Sequence, residues 1–282
     1  MTANNHLNVE IELNSEERAR WTEPFMELAL RAIRKVHHDH LLWSINQNID
    51  LDTDFSRINM GNGIELADER LVCAAISQEL ISSRHSTGVY FESSKTKGSE
   101  NARRYYKLER EVKVPGGKQS IDLISQRMDP ADPNGDIYKK SLIEAKRGRK
   151  RKARYDGKEA KPGNYQYNAV AIDIFKLIDN RMGFKVNNEN PNMYVLVWDA
   201  VSYSETEKTA YTFLKEVKEK LITIDSARTS DEGHDRKIGK ITLLMRDVKW
   251  LPLSWIDPEK DSELLNLNVQ SALWLMLVEI KT

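Results

Sequence analysis

Cysteine is almost missing from the chain: Cys73 stands alone among 282 residues. No intrachain disulfide can form, and a reducing compartment is the simpler expectation. No uninterrupted apolar run approaches the roughly 20 residues of a membrane span, and the N-terminus is polar where a secretory leader would be apolar. These absences predict a soluble, cytoplasmic protein with no membrane partner. A phosphate-cradling Gly-x-x-x-x-Gly-Lys-Ser/Thr loop is lacking, which argues against an autonomous nucleotide-driven motor. A net charge is lacking as well, since 43 Lys+Arg face 43 Asp+Glu. Taken whole, that balance argues against a nucleic-acid partner; its distribution along the chain argues the other way.

Residues 1–63 carry 6 basic and 10 acidic side chains, residues 95–161 carry 20 and 10, and residues 162–282 carry 15 and 18. A basic middle between acidic ends produces a localised positive field. Its densest part is Arg147, Arg149, Lys150, Arg151, Lys152, Arg154, Lys158 and Lys161, opposed only by Asp156 and Glu159. Such a run gains affinity for a phosphate backbone by releasing counterions, without reading sequence. Tyr155, Tyr165 and Tyr167 lie nearby and could stack on bases, although tyrosines so placed more often belong to a core.

The chain is long enough for one large domain or two small ones, and 40% hydrophobic content supplies a core. Trp21, Phe25, Leu28, Ala29, Ala32, Ile33 and Val36 recur at helical spacing after a Ser15-Glu-Glu cap, and His37-His-Asp-His40 reads as the polar end of that helix. A metal role for these histidines is the weaker reading, because they lack the i, i+4 placement of a helical zinc site. Residues 51–63 read as a loop. A second helix is expected over about 65–83, with Leu66, Val72, Ala75, Ile76 and Leu80 as its stripe and Glu79 and Glu69 as carboxylates near it.

Alternation over residues 104–114, the Pro115-Gly-Gly turn signal, and the loop composition of residues 129–137 predict three consecutive antiparallel strands. A helix over 164–180, an apolar strand over 193–201, a helix over 205–221 and a strand over 240–245 complete an alternating α/β second half. The closing run, residues 272–280, is apolar enough for either a buried helix or a strand.

Two strand-like runs carry charges where a sheet buries hydrocarbon: Ser120-Ile-Asp-Leu-Ile124 and Ser141-Leu-Ile-Glu-Ala-Lys146. Side chains alternate faces, so Glu144 and Lys146 point the same way as Leu142, while Ile143 and Ala145 face the other. If the first run is the antiparallel neighbour, Asp122 comes beside Glu144 across the ladder. Two carboxylates so close repel, and a hard divalent cation is the natural way to keep both ionised.

The order of helix, three-strand meander with Asp122 and Glu144-Ala-Lys146, then helix and strand resembles the PD-(D/E)xK nuclease superfamily, over roughly residues 65–201. Ile121 stands where many members have proline before the aspartate. The resemblance implies a restriction-endonuclease-like α/β core, with a mixed sheet whose antiparallel meander is flanked by helices. It divides the chain into an N-terminal helical extension (1–63), a nuclease core (64–225) and a C-terminal extension (226–282) that completes the sheet or makes an oligomer contact. It also implies Asp122 and Glu144, with Glu79 from the preceding helix, as ligands of Mg²⁺ or substituting Mn²⁺; Lys146 as the residue that orients water or stabilises charge; and Gln166 in an auxiliary polar role. The implied activity is metal-dependent hydrolysis of DNA in restriction, phage defence or mobile-element processing, as a homodimer or with partner subunits. A catalytically silent nucleic-acid-binding or assembly subunit and an RNA nuclease are the alternatives.

Overall fold

Alternating side chains along Leu142–Ala145 divide between two helical layers, and the other elements are arranged about the strand Ile137–Arg147 that carries them. The structure is a computed structural model and describes residues 7–13, 22–50, 69–82, 106–128, 137–148, 165–186, 188–202, 206–230, 239–256 and 267–282. In chain order the elements are β1 (Asn8–Leu13), α1 (Thr22–Asp50), α2 (Glu69–Ser82), β2 (Tyr106–Lys113), β3 (Ser120–Met128), β4 (Ile137–Arg147), α3 (Tyr167–Asn180), a 3-10 turn at Arg181–Phe184, β5 (Asn192–Ser202), α4 (Thr206–Ser230), β6 (Lys240–Ile256) and β7 (Leu267–Lys281). The strands form one mixed α/β sheet of order β1-β6-β7-β5-β4-β3-β2, in which β4–β5 and β1–β6 are parallel and the other neighbours antiparallel.

Helices α1 and α2 cover one face of the sheet. Phe25, Met26, Ala29, Ile33, Val72 and Ile76 pack there on Leu123, Ile143, Ala145, Tyr194 and Leu277. Helices α3 and α4 cover the other, where Ile174, Leu177, Phe213 and Val217 meet Leu142, Val195, Val197 and Met276. Burying each such side chain is worth on the order of 1.5–3 kcal/mol, so both layers are held firmly against the strands. Strand β5 is buried on both faces, which is why its sequence is continuously apolar rather than alternating.

The expected meander β2-β3-β4 is present, and its first turn works as the Pro115-Gly-Gly signal predicts. Gly116 takes a φ of +73°, and the Gly117 amide donates to the Val114 carbonyl at 3.0 Å. Proline followed by a glycine at positive φ is the chemistry of a type II turn.

Several expectations are corrected. The stretch read as an N-terminal helical extension contributes β1 to the sheet, and α1 continues through His37–His40 to Asp50, because no proline or glycine stops it there. Helix α2 is described over Glu69–Ser82, and the expected start near residue 65 lies outside the described residues. Helix α4 extends to Ser230, so the division at 225/226 falls inside it, and β6 extends to Ile256. The ambiguous closing run is strand β7, paired on both sides by β5 and β6; two hydrogen-bonding neighbours decide what an apolar run alone does not. The loop expected at 51–63 lies outside the described residues. Among the described residues no helix is long and apolar enough to cross a membrane.

Candidate active site

Leu123 pairs with Ile143 and Ile124 with Leu142, a register that carried one step further sets Asp122 opposite Glu144. Directly opposed residues of an antiparallel pair project to the same face. The main-chain amide of Ala145 donates to Asp122 Oδ2 at 2.9 Å, which fixes that carboxylate at the head of β4. The opposite face of the same strand, Ile143 and Ala145, is hydrocarbon against α1 and α2. This is the division that alternation along residues 141–146 predicts.

Helix α3 meets the charged face with two charges of its own. The Lys176 ammonium lies 2.7 Å from Glu144 Oε1, and Lys146 lies 3.2 Å from Asp173 Oδ2. Asp173 and Lys176 are three apart, hence neighbours on one helix face, and they match Glu144 and Lys146, two apart on one strand face. Glu69, the first residue of α2, completes the group: it accepts from Lys146 at 2.8 Å and from the Arg147 amide at 3.5 Å. Lys146 is therefore held between two carboxylates from opposite helical layers.

The cluster is deeply placed. The Glu144 side chain is 1% exposed, Asp173 13%, Lys146 16%, Lys176 17% and Glu69 34%. Burial, reinforced by Asp122 and opposed by Lys176, pushes the Glu144 carboxyl up to about 9. Burial likewise raises Asp173, against the pull of Lys146 and Lys176. For Lys146, burial favours the neutral form, but Asp173 and Glu69 outweigh it and hold the ammonium above the ordinary lysine value. Cys73, buried beside Asp122, Glu69 and Glu144, is pushed well above the usual thiol range by burial, so it remains a thiol and no nucleophile.

The end of β4 is tied to the start of α3. The Gly148 amide donates to the Trp198 carbonyl at 2.7 Å, and the Gln166 amide donates to the Gly148 carbonyl at 2.7 Å. Gln166, at the N-cap position, does not cap its own helix; its side-chain Nε2 donates to the Arg147 carbonyl at 3.2 Å. Gly148 is closely surrounded: a Cβ there would stand 3.0 Å from the Trp274 ring and 3.1 Å from Asp199 Cβ, tighter than most such contacts.

Of the residues the sequence singles out, Asp122, Glu144, Lys146, Arg147 and Gln166 come together. Glu79 does not. It follows Glu69 by ten residues, about 15 Å along the helix axis, and Glu69 is the α2 carboxylate that reaches Lys146. Arg149, Lys150, Arg151, Lys152, Arg154, Lys158 and Lys161 lie outside the described residues, as does Tyr155. Tyr165 and Tyr167 stack on each other at 5.2 Å and lean on Phe213, which makes them part of the α3–α4 packing. Asp173 and Lys176 escape a reading based on motifs. Their signal is periodicity: Asp173 lies one turn from both Val170 and Leu177, charged residues on a stripe otherwise buried.

A divalent cation fits this donor set in a particular way. Glu69, Asp122, Glu144 and Asp173 supply four carboxylates against the two ammonium groups of Lys146 and Lys176, a formal excess of two negative charges. Glu144 Oε1 and Asp173 Oδ2 are buried, and the ammonium groups of Lys176 and Lys146 stand 2.7 and 3.2 Å from them. Among the described residues no three His, Cys, Asp or Glu side chains close around one point. Comparison of the chain with protein families, curated proteins and solved structures finds no match.

Proposed function

We propose that this protein is a metal-dependent nuclease of the restriction-endonuclease-like type that hydrolyses DNA phosphodiester bonds. The observation that carries the reading is the juxtaposition of Asp122 and Glu144 at the head of two apolar strands, with the ionised Lys146 two residues beyond Glu144. Asp122 and Glu144 would hold Mg²⁺ or Mn²⁺, which when bound polarises a scissile phosphate and makes a water nucleophilic. Glu69 and Asp173 hold the Lys146 ammonium at the strand end, where a fixed positive charge stabilises a phosphorane-like increase in negative charge. The site lies at the carboxyl end of β4 beside its parallel neighbour β5, the end at which open α/β sheets bind ligands. The basic residues 147–161 follow directly and would hold the backbone on either side of the scissile bond.

The test is incubation of the protein with supercoiled plasmid, linear duplex, single-stranded DNA and RNA, each with Mg²⁺, Mn²⁺ or EDTA. Cleavage of DNA with either ion and none with EDTA is the expected result; cleavage confined to RNA moves the substrate class. Neutralising Arg149, Lys150, Arg151 and Lys152 together should flatten the salt dependence of DNA binding, by about 0.9 in log–log slope for each duplex phosphate that is no longer neutralised. One observation favours a second reading, that of a DNA-binding subunit that does not cut: Glu144 is already faced by Lys176. Salt-dependent DNA binding without cleavage under any ion would select it.

A further inference from the structure

Lys176 is not among the residues that the nuclease motif contains, yet its ammonium stands 2.7 Å from Glu144 Oε1. Glu144 is buried, while Lys176 keeps partial access to solvent. The lysine is carried by α3 and the carboxylate by β4, and both elements are packed into the same core through Ile174, Leu177 and Leu142. The backbone therefore holds the pair together while the four-carbon lysine stem leaves the ammonium free to move. Lys146 differs in this respect. It has two carboxylate partners, Glu69 and Asp173, which retain it whatever happens at Glu144.

Resting on the metal-dependent reading above, we propose that Lys176 is a resident counter-ion of Glu144 that a divalent cation must displace or overcome, so that this lysine sets the metal affinity of the free protein. The reason is Coulombic. A divalent ion coordinated by Glu144 brings like charge against an ammonium a few ångströms away, in surroundings where such repulsion is several-fold stronger than in water. Whether or not a proton leaves Glu144 as the ion arrives, the charge added to the cluster is net positive, so removing an ammonium favours its entry. Lys176 is a positioning residue in this scheme, acting on the ligand Glu144.

The experiment is calorimetric titration of the full chain with Mn²⁺ at fixed pH and ionic strength, for the wild type, Lys176→Gln, Lys176→Arg and Glu144→Gln. Lys176→Gln should bind Mn²⁺ about tenfold or more tightly than the wild type, from the loss of one unit charge at this range. Lys176→Arg, which keeps the charge, should stay near the wild type, and Glu144→Gln should lose binding. Equal or weaker binding by Lys176→Gln, with binding still lost in Glu144→Gln, overturns the role of Lys176 and leaves the metal site standing. No Mn²⁺ uptake by either the wild type or Lys176→Gln overturns both. Should Lys176→Gln fail to fold, wild type labelled with ¹³C at lysine Cε provides the second readout. The signal absent from Lys176→Arg should shift as Mg²⁺ is added, and a signal unmoved at saturation overturns the proposal.

Discussion

Two clusters of charge are buried on opposite faces of the same sheet, and their charge balance differs. On the α1–α2 side, Arg246 of β6 pairs with Glu279 of β7, next to Tyr194, which stands opposite Glu279 in the register. Arg246 meets the Glu279 carboxylate there, and burial together with Glu279 keeps the Tyr194 phenol above its ordinary value, hence neutral. On the α3 side, four carboxylates meet two ammonium groups, and burial pushes the Glu144 carboxyl upward. The Arg246–Glu279 pair joins two strands, while excess buried charge of one sign is costly to keep.

The largest expected effects separate the two clusters. Asp122→Ala, Glu144→Ala and Lys146→Ala should each lower DNA cleavage by roughly a hundredfold or more, since loss of a group that stabilises developing charge costs several kcal/mol. Glu279→Gln should leave cleavage within a few-fold of the wild type but lower unfolding free energy by about 3 kcal/mol, because the largely buried Arg246 guanidinium then faces a neutral amide. Parallel cleavage assays and denaturant titrations check both; a Glu279 variant as inactive as Glu144→Ala would erase the distinction.

Next in size is Gly148→Ala. The added carbon meets Trp274 and Asp199 near 3 Å, and overpacking of this kind costs about 1–3 kcal/mol. The shift should also carry Arg147 and Gln166 out of register, so cleavage should fall further than stability alone explains, as activity measured well below the melting temperature would reveal.

The pH dependence of stability gives a smaller effect with a definite sign. Glu144 binds its proton more tightly folded than unfolded, so between its ordinary value near 4.5 and about 9 the native state carries the extra proton. Its contribution is fully present below the lower value and is lost as pH rises through the higher one, at no more than about 1.4 kcal/mol per pH unit. Denaturant unfolding in EDTA should therefore show stability declining from pH 5 to 9, and Glu144→Gln should remove that decline.

The smallest effect sharpens the choice between two glutamates on α2. Glu69→Gln weakens the grip on Lys146 and should lower cleavage by about tenfold, the size of one charge-assisted hydrogen bond. Glu79→Gln should change it little. The reverse ranking, read from initial rates, would place the carboxylate that matters a helix-length away from Lys146.

Much of this arrangement was written in local patterns. Alternation over residues 120–124 and 141–146 determined that Asp122 and Glu144 sit among hydrocarbon on the face they share with Lys146, because side chains on a strand have no other choice. Pro115-Gly-Gly determined the turn that joins β2 to β3, and the apolar run at 193–201 determined a strand covered on both faces. What depends on residues far apart in the chain was decided only by the tertiary structure. Helical periodicity placed both Glu69 and Glu79 near a buried stripe; the angle and height at which α2 lies on the sheet chose Glu69. Residues 272–280 were apolar enough for helix or strand until β5 and β6 supplied hydrogen-bonding partners on both sides. Asp173 and Lys176 carry no motif, and their meaning comes from the crossover that lays α3 over β4, where charges three apart on a helix meet charges two apart on a strand.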